Sequence, residues 1–113
     1  MIKNQLLMFQ IIFLNRFLGN IQVKGKDEPV GIFEILDSLD EEIKLKRMRT
    51  KEAFESAIKA YHKGNFSYAV DWFQEVLESD KTDQAAGMYL EMSKKAIEEN
   101  ITSGRMIVFD TKE

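Results

Sequence analysis

Apolar and polar positions keep a strand-like period from Phe17 to Leu36 and a helical one from Ser38 to about residue 100, so a small β part precedes a larger helical part. Asn20, Gln22 and Lys24 alternate with Ile21 and Val23, the pattern of a strand with one wet face. Gly25-Lys26-Asp27-Glu28-Pro29 concentrates turn formers. Val30, Ile32, Phe33, Ile35 and Leu36 then form a second strand, apolar on both faces, as in a strand inside a larger sheet. The pattern therefore predicts a hairpin over residues 17–36. Ahead of it, Leu6 to Leu14 form an apolar run broken by Gln10 and ended by Asn15 and Arg16, with no small-residue cleavage site behind it. The run is shorter than the ~20 residues that cross a bilayer, so it is expected to be a buried strand or short helix.

The helical part opens at Ser38-Leu39-Asp40-Glu41, which fits a capping box. Acids at Asp40 to Glu42 and bases from Lys44 to Arg49 suit the two ends of a helix dipole, so a solvated linker helix is expected over residues 38–50 rather than a nucleic-acid patch. Phe54, Ala57, Ile58 and Tyr61 follow at i, i+3, i+4 and i+7, one apolar stripe. His62-Lys63-Gly64-Asn65 breaks that helix, with Gly64 free to take a positive φ and Asn65 placed as the next N-cap. Phe66, Ala69, Val70, Phe73, Val76 and Leu77 continue the stripe. After a second break at Asp80-Lys81-Thr82-Asp83, residues Ala86, Tyr89, Leu90, Ala96 and Ile97 supply a third helix. Short polar connections make consecutive helices neighbours. The predicted core is Phe54, Ile58, Tyr61, Phe66, Ala69, Val70, Phe73, Val76, Leu77, Tyr89 and Leu90.

Composition narrows the function more than the fold. Among 113 residues there are eight Phe, three Tyr and one Trp, too much aromatic surface for a disordered tail. A net charge of −3 gives no basic field for nucleic acid. No Cys is present, which removes disulfides, thiolate nucleophiles and thiolate zinc sites, and the one His cannot form a His pair. The expectation is a cytoplasmic domain without a membrane span.

Two strings carry family resemblances. Gly64-x-Phe66-x-x-Ala69-x-x-x-Phe73-x-x-x-Leu77, followed by Asp80 and Asp83, resembles the second half of a tetratricopeptide repeat, in which Gly opens the turn and a small Ala lets two helices approach. Phe17-Leu18-Gly19-x-Ile21-x-Val23-Lys24-Gly25-Lys26-x-Glu28-Pro29-Val30-x-Ile32-Phe33-Glu34 resembles the last hairpin of class III adenylate/guanylate cyclase catalytic domains. Many bacterial cyclases of this class are similar in running from that hairpin into a tetratricopeptide-like segment. The resemblance implies an α+β, mainly α chain. Residues 1–37 are then a remnant of a cyclase-type domain, residues 38–50 a linker helix, residues 51–100 a helical hairpin with a capping helix, and residues 101–113 an extended tail.

In that family the first Lys of the turn reaches the nucleotide triphosphate, which the resemblance carries onto Lys24. The other parts of the chemistry, two metal-binding Asp residues, a base-recognition pair and an Asn/Arg pair, lie upstream of this hairpin. The resemblance therefore implies no catalytic residue, metal or cofactor for this chain, and no enzyme activity of its own. His62 is expected as a helix C-terminal cap suited by partial positive charge, and Glu34 as a polar residue at a sheet edge. Tyr68 and Trp72, four residues apart beside the main stripe, either pack on the third helix, the preferred reading, or anchor a partner. The function expected is a non-catalytic C-terminal part of a nucleotidyl cyclase whose helices serve protein contacts or self-association. The alternative is a freestanding helical interaction protein.

Overall fold

The computed structural model describes residues 14–109. The expected buried segment at residues 6–13 and the end of the tail lie outside the described residues. Strand β1 spans Asn15–Val23 and β2 Val30–Ile35, and four helices follow: α1 Glu41–Arg49, α2 Lys51–His62, α3 Phe66–Ser79 and α4 Gln84–Glu98. A short strand β3, Ile107–Phe109, closes the described chain. The architecture is α+β and mainly helical.

The hairpin forms where alternation and turn chemistry put it. β1 and β2 pair antiparallel, Arg16 opposite Glu34 and Phe17 opposite Phe33, with a register shift between Phe17 and Gly19. Gly25 at φ +90 and the Lys26 N–H donated to the Val23 carbonyl at 3.0 Å close the turn. The tail then returns, and β3 pairs parallel to β1 with Ile21 opposite Ile107. The sheet order is β2-β1-β3. β2 is thus an edge among the described residues and not the interior strand its two apolar faces suggested. Its Ile32, Phe33 and Ile35 are half-buried, and Phe33 packs on the Phe17 ring at 5.2 Å.

The linker helix starts later than expected. The backbone turns after Leu36, whose carbonyl accepts the Leu39 N–H at 3.2 Å. Ser38 falls in that turn, Asp40 takes the N-cap position without a side-chain bond, and the capping box is not made. A single residue, Thr50, separates α1 from α2, and its hydroxyl donates to the Lys46 carbonyl at 3.0 Å.

From there the stripe pattern is realised. Gly64 takes φ +83 between α2 and α3, and the Asp83 carboxylate caps α4 by accepting the Ala86 N–H at 3.2 Å. Asn65 holds the expected N-cap position of α3 without a side-chain bond. Of the predicted core, Phe54, Ile58, Tyr61, Phe66, Ala69, Phe73, Val76, Tyr89 and Leu90 are buried, and Val70 and Leu77 are half-buried against them. Aromatic rings dominate its centre: Phe54 meets Phe73 edge-on at 5.7 Å, and Phe73 stacks on Tyr89 at 5.6 Å.

Candidate functional site

The sheet and the helices meet at a cluster of charges that neither alternation nor helical periodicity marks. Arg16, on β1, is 1% exposed. Its guanidinium donates to the Asp83 carboxylate and, at 2.7 Å, to Glu34 on β2, and it lies over the Phe54 ring at 3.8 Å. Arg47 turns inward from α1, donating to Asp80 at 2.8 Å, to Glu34 at 3.2 Å and to the Thr82 carbonyl at 3.2 Å. Two guanidinium groups therefore clamp three carboxylates drawn from β2 and the α3–α4 turn. Asp80 also accepts from the Thr82 hydroxyl at 2.6 Å. Burial pushes the Asp80 carboxyl up, but the hydrogen bonds from Thr82 and Arg47 and the Arg47 charge outweigh it, and the group titrates below the ordinary carboxylate range.

A second set of contacts seats β1 on α2 and α4. The Glu55 carboxylate accepts the Phe17 N–H at 2.8 Å, and Lys51 donates to the Asn15 carbonyl at 2.6 Å. The Tyr89 hydroxyl donates to the Leu18 carbonyl at 2.8 Å, and His62 Nε2 accepts the Asn20 N–H at 3.1 Å. Side chains thus satisfy β1 backbone groups. Burial, and then the neighbouring Tyr61, raise the Tyr89 hydroxyl to about 12, so it stays a donor. Burial lowers the His62 pKa, and a nitrogen that accepts an amide proton belongs to a neutral ring. His62 is therefore not the partly cationic helix cap expected from its position: strand contact and desolvation override the dipole. Glu34 is likewise more than an edge residue, because it bridges both arginines.

An open cleft of about 570 Å³ borders the clamp, walled by Leu18, Phe33, Glu34, Arg47, Thr82 and Gln84. The charged heads beside it are engaged with one another, so the arrangement ties β1, β2, α1 and the α3–α4 turn together. Among the described residues no group of three or more His, Cys, Asp or Glu side chains has the geometry to hold a metal ion. No helix among them is long and apolar enough to cross a membrane.

Lys24 lies in the exposed turn at the tip of the hairpin. Tyr68 and Trp72 are brought together on α3, ring centres 5.8 Å apart. Trp72 is half-buried against the helical core, whereas Tyr68 is 45% exposed. Gln74 and Leu77 of α3 border one open cleft with Leu90 of α4, across the helix from Tyr68 and Trp72. Sequence reasoning missed Arg16, Arg47, Asp80 and Asp83 as a set, having assigned them to a segment end, a solvated helix face and a turn. One signal was available: Arg16 stands where a strand begins, and antiparallel pairing around the turn sets an acid, Glu34, opposite it.

No protein-family model matches the chain, and no solved structure matches it. A stretch of 72 residues is 28% identical to the terminal-differentiation-specific adenylate cyclase of Dictyostelium discoideum. The match covers 61% of this chain and 3% of that protein. It is a weak similarity, and it relates the chain to an adenylate cyclase.

Proposed function

We propose that the chain is a non-catalytic, cyclase-related unit, in which the closing hairpin of a class III nucleotidyl cyclase domain is fused to a tetratricopeptide-like helical module. The module serves protein contacts or self-association in cyclic-nucleotide signalling. Supporting this is the similarity to an adenylate cyclase, together with the folding of residues 17–34 as a hairpin that carries Lys24-Gly25-Lys26 at its tip. The observation that carries the coupling is the Arg16–Arg47 clamp, which fastens that hairpin to the helices. Movement of the helices would then reach the turn where, by family resemblance, Lys24 meets nucleotide phosphate.

A second reading, a freestanding interaction protein, is favoured by the way α2, α4 and β3 satisfy β1 within this one chain. The deciding measurement is the mass of the native product in source cells, by immunoblot against the helical segment with intact-mass confirmation. A band several times heavier than 13.1 kDa, whose purified product converts a nucleoside triphosphate to its cyclic monophosphate, supports the cyclase reading. A band at 13.1 kDa rejects it in favour of the freestanding one.

A further inference from the structure

The tail is fixed to the helices at two points. α4 ends in a reverse turn, in which Asn100 takes φ +57 and the Ile101 N–H returns to the Ala96 carbonyl at 2.9 Å. Farther on, the Arg105 carbonyl accepts the Tyr61 hydroxyl at 2.6 Å. Ile101 and Arg105 both line a cavity of about 220 Å³ whose other walls are α4 and Tyr61 of α2. Its surface divides by chemistry. Tyr61 and Ala96 are buried and Met92 and Ile101 half-buried, which makes an apolar floor. Lys95, Glu99 and Arg105 make a charged rim, two cations against one carboxylate. Lys95 and Glu99 stand 4.0 Å apart, 71% and 42% exposed, so water screens their attraction. Glu91, one turn before Lys95, pairs with Lys94 at 4.0 Å. Arg105 is exposed and makes no ion pair among the described residues, so the excess positive charge of the rim rests on it.

We propose that this cavity binds a small monocarboxylate, its apolar body on the Tyr61, Met92 and Ile101 floor and its carboxylate on the Arg105 guanidinium. A guanidinium offers a carboxylate two parallel N–H donors, a match that a neutral or cationic guest does not use. The cavity has room for about seven waters, below the roughly 300 Å³ at which clefts for larger ligands begin. It therefore suits a single ring or a short alkyl chain and excludes a nucleotide or a peptide. The walls are already in place, because the Ala96 and Tyr61 contacts hold both tail residues against the helices, so binding orders little further backbone. Such binding is separate from the protein contacts proposed above, and it stands whether the native product is a cyclase or a freestanding chain.

Titration of the 113-residue chain with benzoate and with hexanoate, followed by amide NMR shifts, tests it. At least one carboxylate should give saturable shifts by about 10 mM, the weak limit for so small a ligand, centred on Ala96, Glu99, Ile101 and Arg105. Its neutral amide, benzamide or hexanamide, should bind at least tenfold more weakly. Arg105→Gln should weaken the carboxylate roughly tenfold. Glu99→Gln should tighten it about threefold, because a like charge leaves the rim. Both side chains are exposed and the Tyr61 bond is to the Arg105 backbone, so circular dichroism should match the wild type. Arg49→Gln, exposed on α1, should leave binding unchanged. Shifts that fail to saturate for both carboxylates overturn the proposal, as do shifts centred on other residues. Equal binding of the amide, indifference to Arg105→Gln, or weakening by Glu99→Gln overturns it as well.

Discussion

An arginine that is 1% exposed persists in a fold only where its charge is matched, and Arg16 is matched by Asp83, itself 1% exposed, and by Glu34. Arg16→Met keeps volume over Phe54 but leaves Asp83 only the Arg47 guanidinium, 3.8 Å away, as its charge partner, so the unfolding free energy should fall by about 2 kcal/mol, measured by urea titration. Adding Asp83→Asn should recover part of that loss, because the amide still caps α4 without a buried charge. A double variant no more stable than Arg16→Met would mean the guanidinium acts through Phe54 and Glu34 instead. His62 gives a pH dependence of definite sign. Its folded pKa lies below the ordinary 6.5, so between the two values the unfolded chain binds more protons. The stability it contributes is complete above the ordinary value and is lost as pH falls through the lower folded one. The urea midpoint should therefore drop between pH about 7.5 and about 5, and drop less in His62→Gln, whose amide oxygen can accept the Asn20 N–H.

At the scale of elements, the tail is a strap held by close backbone approach. A Cβ at Gly64 would come within 2.2 Å of the Thr102 carbonyl oxygen, and one at Gly104 within 2.2 Å of the Tyr61 carbonyl oxygen. Just beyond those crossings the Tyr61 hydroxyl donates to the Arg105 carbonyl at 2.6 Å, and β3 then reaches β1. Gly25 shares the positive φ of Gly64 but has open space around its Cβ position. Gly25→Ala should thus cost about 1 kcal/mol from backbone strain alone and leave β3 in place. Gly64→Ala should cost more and also speed amide exchange at Ile107 to Phe109, because the strap must lift. Equal exchange in the two variants would show that the strap does not depend on the approach. The comparison also marks what the sequence made legible. Gly64 as a helix stop, the Phe54–Tyr61 and Phe66–Val76 stripes and the hairpin turn follow from local rules that depend on spacing. The strap, the parallel β3 and the late start of α1 depend on where distant segments meet, and Ser38 matched a local capping rule that the Leu36–Leu39 turn overrode. The clamp escaped for the same reason: a buried ion pair between residues 67 positions apart leaves no period in the chain.

For the whole molecule, the decisive question is whether hairpin and helices unfold as one body. The hairpin alone would be marginal, since a two-stranded ribbon buries too little in water. Here its Phe17 N–H is held by Glu55, its Asn20 N–H by His62 and its Leu18 carbonyl by Tyr89, while Arg16 and Arg47 fasten it to the α3–α4 turn. Opening it without the helices would expose one face of the core at Phe54 and take the Arg16 partner from Asp83 and the Glu34 partner from Arg47, a cost comparable to global unfolding. Native-state hydrogen exchange should therefore give the Phe17 and Asn20 amides the same opening free energy as the amides of Phe54 and Phe73. Arg16→Met should lower all of them together. Hairpin amides that exchange well ahead of α2 and α3, with the helices unaffected by Arg16→Met, would mean that the clamp joins two independent units. In that case force on the helical module could not reach the Lys24 turn, and the coupling offered above as its role would have no mechanical basis.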